Sequence, residues 1–361
     1  MSLRKWDELG QLSRELNIYQ KLGERIGQVY IYSYGKNEEC YVKEYPNVNV
    51  ISRFWFLPDK CRGQKYINVL YNLISVFFRY GILRKVDIIK TNQLSGADYG
   101  TWLKKLFRKK LIIRMGYYHT LDRSRFSSDE AYQNTLKVEK KVFPQADRVI
   151  VTNPHAKNFI CNNYYLSNSV IQYIPNSIDT DLFKPYDMKK CFEIMFVGRF
   201  IGVKNLHNLL KAVMGLKLRI LFIGKGALRQ DLIKFADKNG LEVSIVDKVD
   251  NKELPLYYNK SKIFILPSFY EGNPKTLLEA MACGCACIGT DVNGINNIIR
   301  HKVNGYLCKT DEGSIKAAIV DAISNNSLRK TMGENAREFI KENYSLEKLI
   351  EKETASYMVL S

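Results

Sequence analysis

The stretch 263–284, IFILPSFYEGNPKTLLEAMACG, decides the fold. It opens on an apolar run, IFILP, with the length and composition of a strand buried on both faces. A turn follows, and then Asn273 and Pro274 stand in the order a helix start favours, a side-chain cap and then proline at the first helical position. Leu277, Leu278, Ala280, Met281 and Ala282 continue as a helix that Gly284 ends. Two glutamates frame the unit: Glu271 outside the helix at the strand's carboxyl end, and Glu279 about one and a half turns inside it. In open α/β sheets ligands bind at strand carboxyl ends, and helix amino-termini attract anions. The unit therefore offers carboxylates for hydroxyl groups beside backbone amides for an anion, the two kinds of group a sugar nucleotide carries. Spacing alone decides nothing, because two glutamates eight positions apart recur by chance.

The same alternation of strand and helix extends on both sides. Downstream of a linker at 180–191, strands are predicted at 192–198, 218–226, 241–249 and 285–292, with helices at 204–214, 227–239, 251–259 and 293–300, and a helical end from 312 to about 358. Upstream, the segment from Trp6 to Gly27 reads as one helix. Strands follow at 28–35, 47–54, 86–92, 111–115, 146–153 and 170–176, and helices at 64–80, 96–109 and 129–142. This βα alternation means parallel, doubly wound sheets.

The 361 residues suffice for two domains with separate cores. The most apolar stretch, 66–83, is broken by asparagines and an arginine, so no membrane span is predicted, and the first ten residues lack the apolar core of a signal peptide. The eight cysteines have no framework spacing, which suggests a reducing cytoplasm; Cys283, Cys285 and Cys287 read as buried structural residues rather than a metal clip. Of the net charge of +18, residues 1–190 carry 31 Lys+Arg against 18 Asp+Glu. That excess implies an acidic partner for the first half: an anionic membrane surface, a phosphorylated acceptor or, ranked last for want of a motif, nucleic acid. WLKKLFRKK (102–110) places Trp102, Leu103, Leu106 and Phe107 on one face and five cations elsewhere, either a helix on the sheet with a solvated face or a lipid-docking helix.

Within PSxYEGxPxxLLEAMAxG, the two glutamates with seven residues between resemble the donor-site signature of retaining glycosyltransferases of family 4. FVGRFIGVKNL (196–206), IPNSIDTDLFKP (174–185) and NGYL (304–307) resemble the same family in its order and spacing. The likeness is close over 140–350 and looser before it. It implies the GT-B architecture, two Rossmann-like domains facing a cleft: an acceptor-binding domain over 1–184, a nucleotide-sugar-binding domain over 185–343, and a last helix over 344–361 crossing back to the first. Family members begin with a strand and a glycine-rich loop, whereas this chain opens on a helix. The first strand of the amino-terminal domain is thus expected to be missing, with the sequence beginning late relative to the family.

By the same resemblance, Arg199 and Lys204 after Gly198 hold a diphosphate, and the helix start at Pro274, Lys275 and Thr276, preceded by Gly272 and Asn273, adds backbone amides. Many relatives have glycine where Pro274 stands, and proline removes one donor from that row. Glu271 is expected on the hydroxyls of the transferred sugar, Glu279 on the ribose diol, and the loop at Lys248 and Val249 beside the base. His119, with Arg114 and Tyr117 nearby, stands where several relatives place a histidine near the sugar; His155, His207 and His301 read as structural or exposed. Asp179–Thr180–Asp181 could suggest a metal pair, but its place before the linker favours a cap or turn. No cofactor and no strict metal are expected, since Arg199 and Lys204 can neutralise the leaving group. The expected activity is transfer of a sugar from a nucleoside-diphosphate sugar to an acceptor hydroxyl, with a glycan or lipid-linked acceptor at the inner face of a membrane. A sugar-nucleotide epimerase and a non-catalytic GT-B subunit are the rival readings.

Overall fold

The computed structural model describes residues 2–52, 65–94, 96–116, 120 and 128–360. The chain divides into two compact units, one comprising Met1–Leu3, Tyr19–Pro175 and Ile350–Ser361, the other Arg4–Ile18 and Asn176–Leu349. The second unit thus starts at Asn176, ahead of the expected cut at 184, and takes in Arg4–Ile18 as well.

The predicted opening helix is two helices, α1 (Leu3–Glu8) and α2 (Leu12–Ile26). The break falls at Gly10, whose φ of +66° is left-handed, a conformation that ends helices and favours glycine. Then β1 (Val29–Tyr32) pairs in parallel with β2 (Val48–Ile51). Helix α3 (Lys65–Lys85) leads to β3 (Ile88–Thr91), α4 (Ala97–Phe107), β4 (Lys110–Met115), α5 (Asp129–Val142), β5 (Arg148–Val151), α6 (Pro154–Tyr164) and β6 (Ile171–Tyr173). Strands β3-β4-β5-β6 form one parallel sheet in that order. Among the described residues β1 pairs only with β2, and β3 only with β4. Leu111, Ile113, Val149 and Val151 are buried in the sheet between Val142, Phe143, Ile160 and Tyr164.

In the second unit β7 (Phe192–Val197), α7 (Leu206–Ala212), β8 (Ile220–Ile223), α8 (Arg229–Lys238), β9 (Val243–Val246), α9 (Leu254–Asn259), β10 (Ser261–Leu266), α10 (Lys275–Ala282) and β11 (Ala286–Thr290) follow the predicted alternation. A strand that pattern did not predict, β12 (Tyr306–Cys308), pairs with β11. The sheet is wholly parallel in the order β12-β11-β10-β7-β8-β9, a doubly wound arrangement whose strand order reverses between β7 and β10. Ile263, Phe264, Ile265 and Leu266 are all buried, which explains why β10 is apolar without alternation. Residues 293–298 form turns rather than the helix predicted over 293–300, because Gly294 takes a left-handed φ of +88° against the Glu271 backbone.

The carboxyl end is three helices, α11 (Glu312–Ser324), α12 (Asn326–Tyr344) and α13 (Leu346–Met358). From Ile350 onward α13 belongs to the first unit, where Glu353 accepts from Lys90 on β3 at 2.5 Å and lies 3.4 Å from Arg114 on β4. Cys283, Cys285 and Cys287 are buried and free, and burial pushes the Cys285 thiol up to about 11. No helix among the described residues is long and apolar enough to cross a membrane.

Candidate active site

The reversal of strand order between β7 and β10 fixes where a ligand can sit in the second unit: outside the carboxyl ends of those two strands. Both ends carry tight loops. After β7, Gly198 and Gly224 approach so closely that a Cβ on Gly224 would lie 1.9 Å from the Gly198 carbonyl oxygen. That contact lets the loop turn at Arg199, which is exposed, and bring Lys204 back. After β10, the chain runs through Ser268 and Glu271 before α10.

These loops meet in an ion pair. The Lys204 ammonium donates to Oε1 of Glu271, and the Ser268 hydroxyl donates to the same oxygen at 2.7 Å. The two loops are also joined through backbone, Phe269 N–H to the Val203 carbonyl at 2.9 Å, so the pair is placed by a rigid frame. Glu271 is 9% exposed and its own N–H donates to the Asn293 carbonyl at 3.3 Å.

Helix α10 begins differently from expectation. Pro274 itself is the N-cap, and no side chain caps the helix. Asn273 is drawn elsewhere: its side-chain oxygen accepts from Asn176 N–H at 2.9 Å, and its carbonyl accepts from the Asn176 amide at 2.8 Å. The helix ends as predicted, with Gly284 at φ +67° and Cys285 N–H returning to the Ala280 carbonyl.

Glu279, one and a half turns along, is 1% exposed. It accepts from the Tyr258 hydroxyl at 3.0 Å and from the Asn251 amide at 3.3 Å, and Arg14 stands 3.8 Å away. Burial raises its pKa against the lowering effect of Arg14, and burial likewise holds the Tyr258 phenol well above its ordinary value. The other expected residues of this surface meet the segment Arg4–Ile18. Lys275 pairs with Glu15 at 3.0 Å, and Lys248 donates to the Asp7 carbonyl at 2.8 Å. The Val249 carbonyl lies 3.2 Å from where a Cβ on Gly10 would stand. Gly272 and Thr276 complete the loop and the first turn of the helix, both half-buried.

The structure therefore joins Lys204 to Glu271 directly and gathers Lys248, Val249, Lys275 and Glu279 beneath one segment. His119 and Tyr117 lie outside the described residues. Arg114 is committed to Glu353 in the first unit. Asp179 caps a turn, accepting from the N–H groups of Asp181 and Leu182 at 3.1 Å each. His301 accepts from Leu307 N–H at 3.1 Å and packs on Tyr306, a structural role. Sequence reasoning missed Ser268, Asn251, Tyr258, Gly294, Arg14 and Glu15. Only Ser268, three residues before Glu271, could have been found by local spacing.

Two family models cover the chain in succession. Residues 16–182 match "Glycosyltransferase Family 4" and residues 178–339 match "Glycosyl transferases group 1". The chain belongs to the group 1, family 4 glycosyltransferases. Within this glycosyltransferase family, the chain is 29% identical to N-acetyl-alpha-D-glucosaminyl L-malate synthase of Bacillus anthracis, covering 88% of this chain and 86% of that one. It is 25% identical to the UDP-Gal:alpha-D-GlcNAc-diphosphoundecaprenol alpha-1,3-galactosyltransferase of Escherichia coli, covering 83% and 82%. Sucrose-phosphate synthase from Thermosynechococcus elongatus superposes with a TM-score of 0.81 at 21% identity, over 97% of this glycosyltransferase and 93% of that chain. That likeness establishes the GT-B fold of two Rossmann-like domains.

Proposed function

We propose that this glycosyltransferase moves a hexosyl group, with retention of configuration, from a nucleoside-diphosphate sugar to an acceptor hydroxyl in surface polysaccharide or glycolipid assembly. The observation that carries the reading is the Lys204–Glu271–Ser268 cluster at the topological switch point, with Arg199 on the same loop. Each residue has a role there. Arg199 and Lys204 take the charge that develops on the departing diphosphate. Glu271, released from Lys204 as the anion enters, accepts from hydroxyls of the transferred sugar. The amides of Lys275 and Thr276 add donors, while Lys248 and Val249 flank the base and Glu279 takes the ribose diol. In the transfer, the bond from the anomeric carbon to the diphosphate breaks and the bond to the acceptor oxygen forms on the same face. The acceptor proton passes to the leaving diphosphate. The cations of the chain itself perform the neutralisation, so the proposed reaction carries no strict metal requirement.

Support for the donor class and for a lipid-linked acceptor comes from the Escherichia coli relative, whose name contains both UDP-Gal and a diphosphoundecaprenol. An anionic membrane surface on the cytoplasmic side fits the first unit. Phe77, Phe78 and Tyr80 on α3 and Leu106 on α4 are exposed, and Arg84, Lys85 and Lys105 are exposed on the same two helices, with Arg108 exposed at the C-cap of α4. Leu106 thus faces outward rather than joining the packed face expected of 102–110, while Lys104 and Lys109 are spent on Asp147 and on the Arg84 carbonyl.

The test is to incubate the chain with UDP-, GDP-, ADP- and dTDP-sugars and polyprenyl-linked glycan acceptors, and to read the product's anomeric configuration by NMR. Transfer with retention, lost in Arg199→Ala, supports the proposal. An inverted product, or an epimerised donor without transfer, overturns it.

A further inference from the structure

The segment Arg4–Ile18 belongs to the same compact unit as β9, β10 and α10, and it meets the proposed donor surface at the base loop and along α10. At the base loop, Asp7 takes the Lys248 ammonium and the Gly10 turn abuts Val249. At the first turn of α10, Glu15 takes Lys275. Between them the Arg14 guanidinium lies 3.1 Å from Glu15 and 3.8 Å from Glu279, with its side chain 20% exposed.

From this juxtaposition, and resting on the donor-site reading above, we infer that Arg14 is a donor-binding residue that grips the diphosphate on its ribose side. Three features argue for it. The guanidinium bridges Glu279, the carboxylate proposed for the ribose, and Glu15, the partner of Lys275 at the helix start, which is where a nucleoside diphosphate passes from sugar to phosphate. Three basic groups of the surface are held by carboxylates: Lys204 by Glu271, Lys275 by Glu15, and Arg14 by Glu15 and Glu279. An entering diphosphate replaces these partners while Glu279 accepts from the ribose hydroxyls, so these three cations exchange one set of anionic partners for another. Finally, a planar guanidinium presents paired donors that match two phosphate oxygens, which an ammonium does not. A salt bridge serving the fold alone needs none of this alignment with Lys248, Lys275 and Glu279.

The experiment is calorimetric titration of the full chain with UDP, with GDP, ADP and dTDP alongside, and with the matching phosphate-free nucleoside of whichever binds. Arg14→Ala is expected to weaken the nucleoside diphosphate about tenfold or more, the loss of a charge-assisted contact. Arg14→Lys should recover only part of that affinity, and nucleoside binding should fall much less than diphosphate binding. Arg14→Lys keeps the test alive if Arg14→Ala does not fold. Unchanged or tighter diphosphate binding overturns the inference, the latter making the segment a cover rather than a wall. Equal losses for nucleoside and diphosphate overturn it too. Arg199→Ala separates the two levels: if it abolishes binding while Arg14→Ala does not, the site stands and this assignment falls. If the wild-type chain binds no nucleotide, both fall.

Discussion

The carbonyl oxygen of Glu271 lies 2.3 Å from where a Cβ on Gly294 would stand. The turn after β11 is thereby pressed against the backbone of the residue paired with Lys204, and Glu271 N–H closes the contact onto the Asn293 carbonyl. Gly294 is also left-handed, so any side chain there is strained by ~1–2 kcal/mol before the clash is counted. Gly294→Ala is expected to push the Glu271 loop away and reduce sugar transfer sharply, with the rest of the fold retained. Transfer at the wild-type rate in a folded Gly294→Ala protein would mean that the position of Glu271 is not what the reaction needs.

Glu353 is 1% exposed, yet it accepts from Lys90 and Tyr357 at 2.5 Å each and lies beside Arg114. Although burial opposes the charge, these two cations lower its pKa, so the group is held ionised. Removing one member of such a buried set leaves the others uncompensated. Glu353→Ala should therefore cost about 3–5 kcal/mol by urea unfolding. A loss below about 1 kcal/mol, the range of surface pairs, would show that the cluster contributes little.

Some of this architecture was legible before the structure. The β10–α10 unit was readable because burial on both faces makes a parallel strand uniformly apolar, and because Gly284 supplies the left-handed stop. Local rules give Asn273 to its own helix as a cap, whereas Asn176, 97 positions away, takes it. β12 is only three residues long and carries no period to detect. Arg14, Glu15 and Tyr258 were invisible as site residues for a general reason: their partners are assembled by the fold, and no spacing encodes them. The apolar period of the opening segment runs through Gly10, where the turn meets Val249.

The pH response of Glu279 has a definite sign. Burial raises its folded pKa above the ordinary value of 4.5. Its contribution to stability is therefore fully present below that ordinary value and is lost as pH rises through the folded one. Glu279→Gln keeps an acceptor for Tyr258 and cannot ionise, so the variant should gain on wild type as pH rises from 4. Equal melting-temperature differences at every pH would place the ionised carboxylate at no disadvantage in the fold.

Glu193 behaves oppositely. Hydrogen bonds from Arg219, and then from Lys262, lower its pKa from 4.5 to about 2. This depressed value contributes stability above the ordinary pKa, and that stability is lost as pH falls through about 2. Melting curves of wild type and Glu193→Gln should converge on acidification through that window. Curves that stay parallel down to about pH 2 would remove Arg219 as the cause.

The two glutamates of the opening motif have different surroundings, and the difference dictates which measurement each should move. Glu271 stands at the strand end with Lys204, the site proposed for the transferred sugar. Glu279 lies inside α10 with Tyr258 and Asn251, the site proposed for the ribose. Glu271→Ala should thus reduce transfer far more than nucleotide binding, and it also frees Lys204 to hold the diphosphate. Glu279→Ala should weaken the nucleotide itself, by about 1–3 kcal/mol for two lost hydroxyl contacts and the orphaned Tyr258. Steady-state transfer and calorimetric binding on the same preparations separate the two. If Glu279→Ala binds nucleotide like wild type while Glu271→Ala does not, the roles are reversed, and the ribose belongs at the strand end beside Lys204.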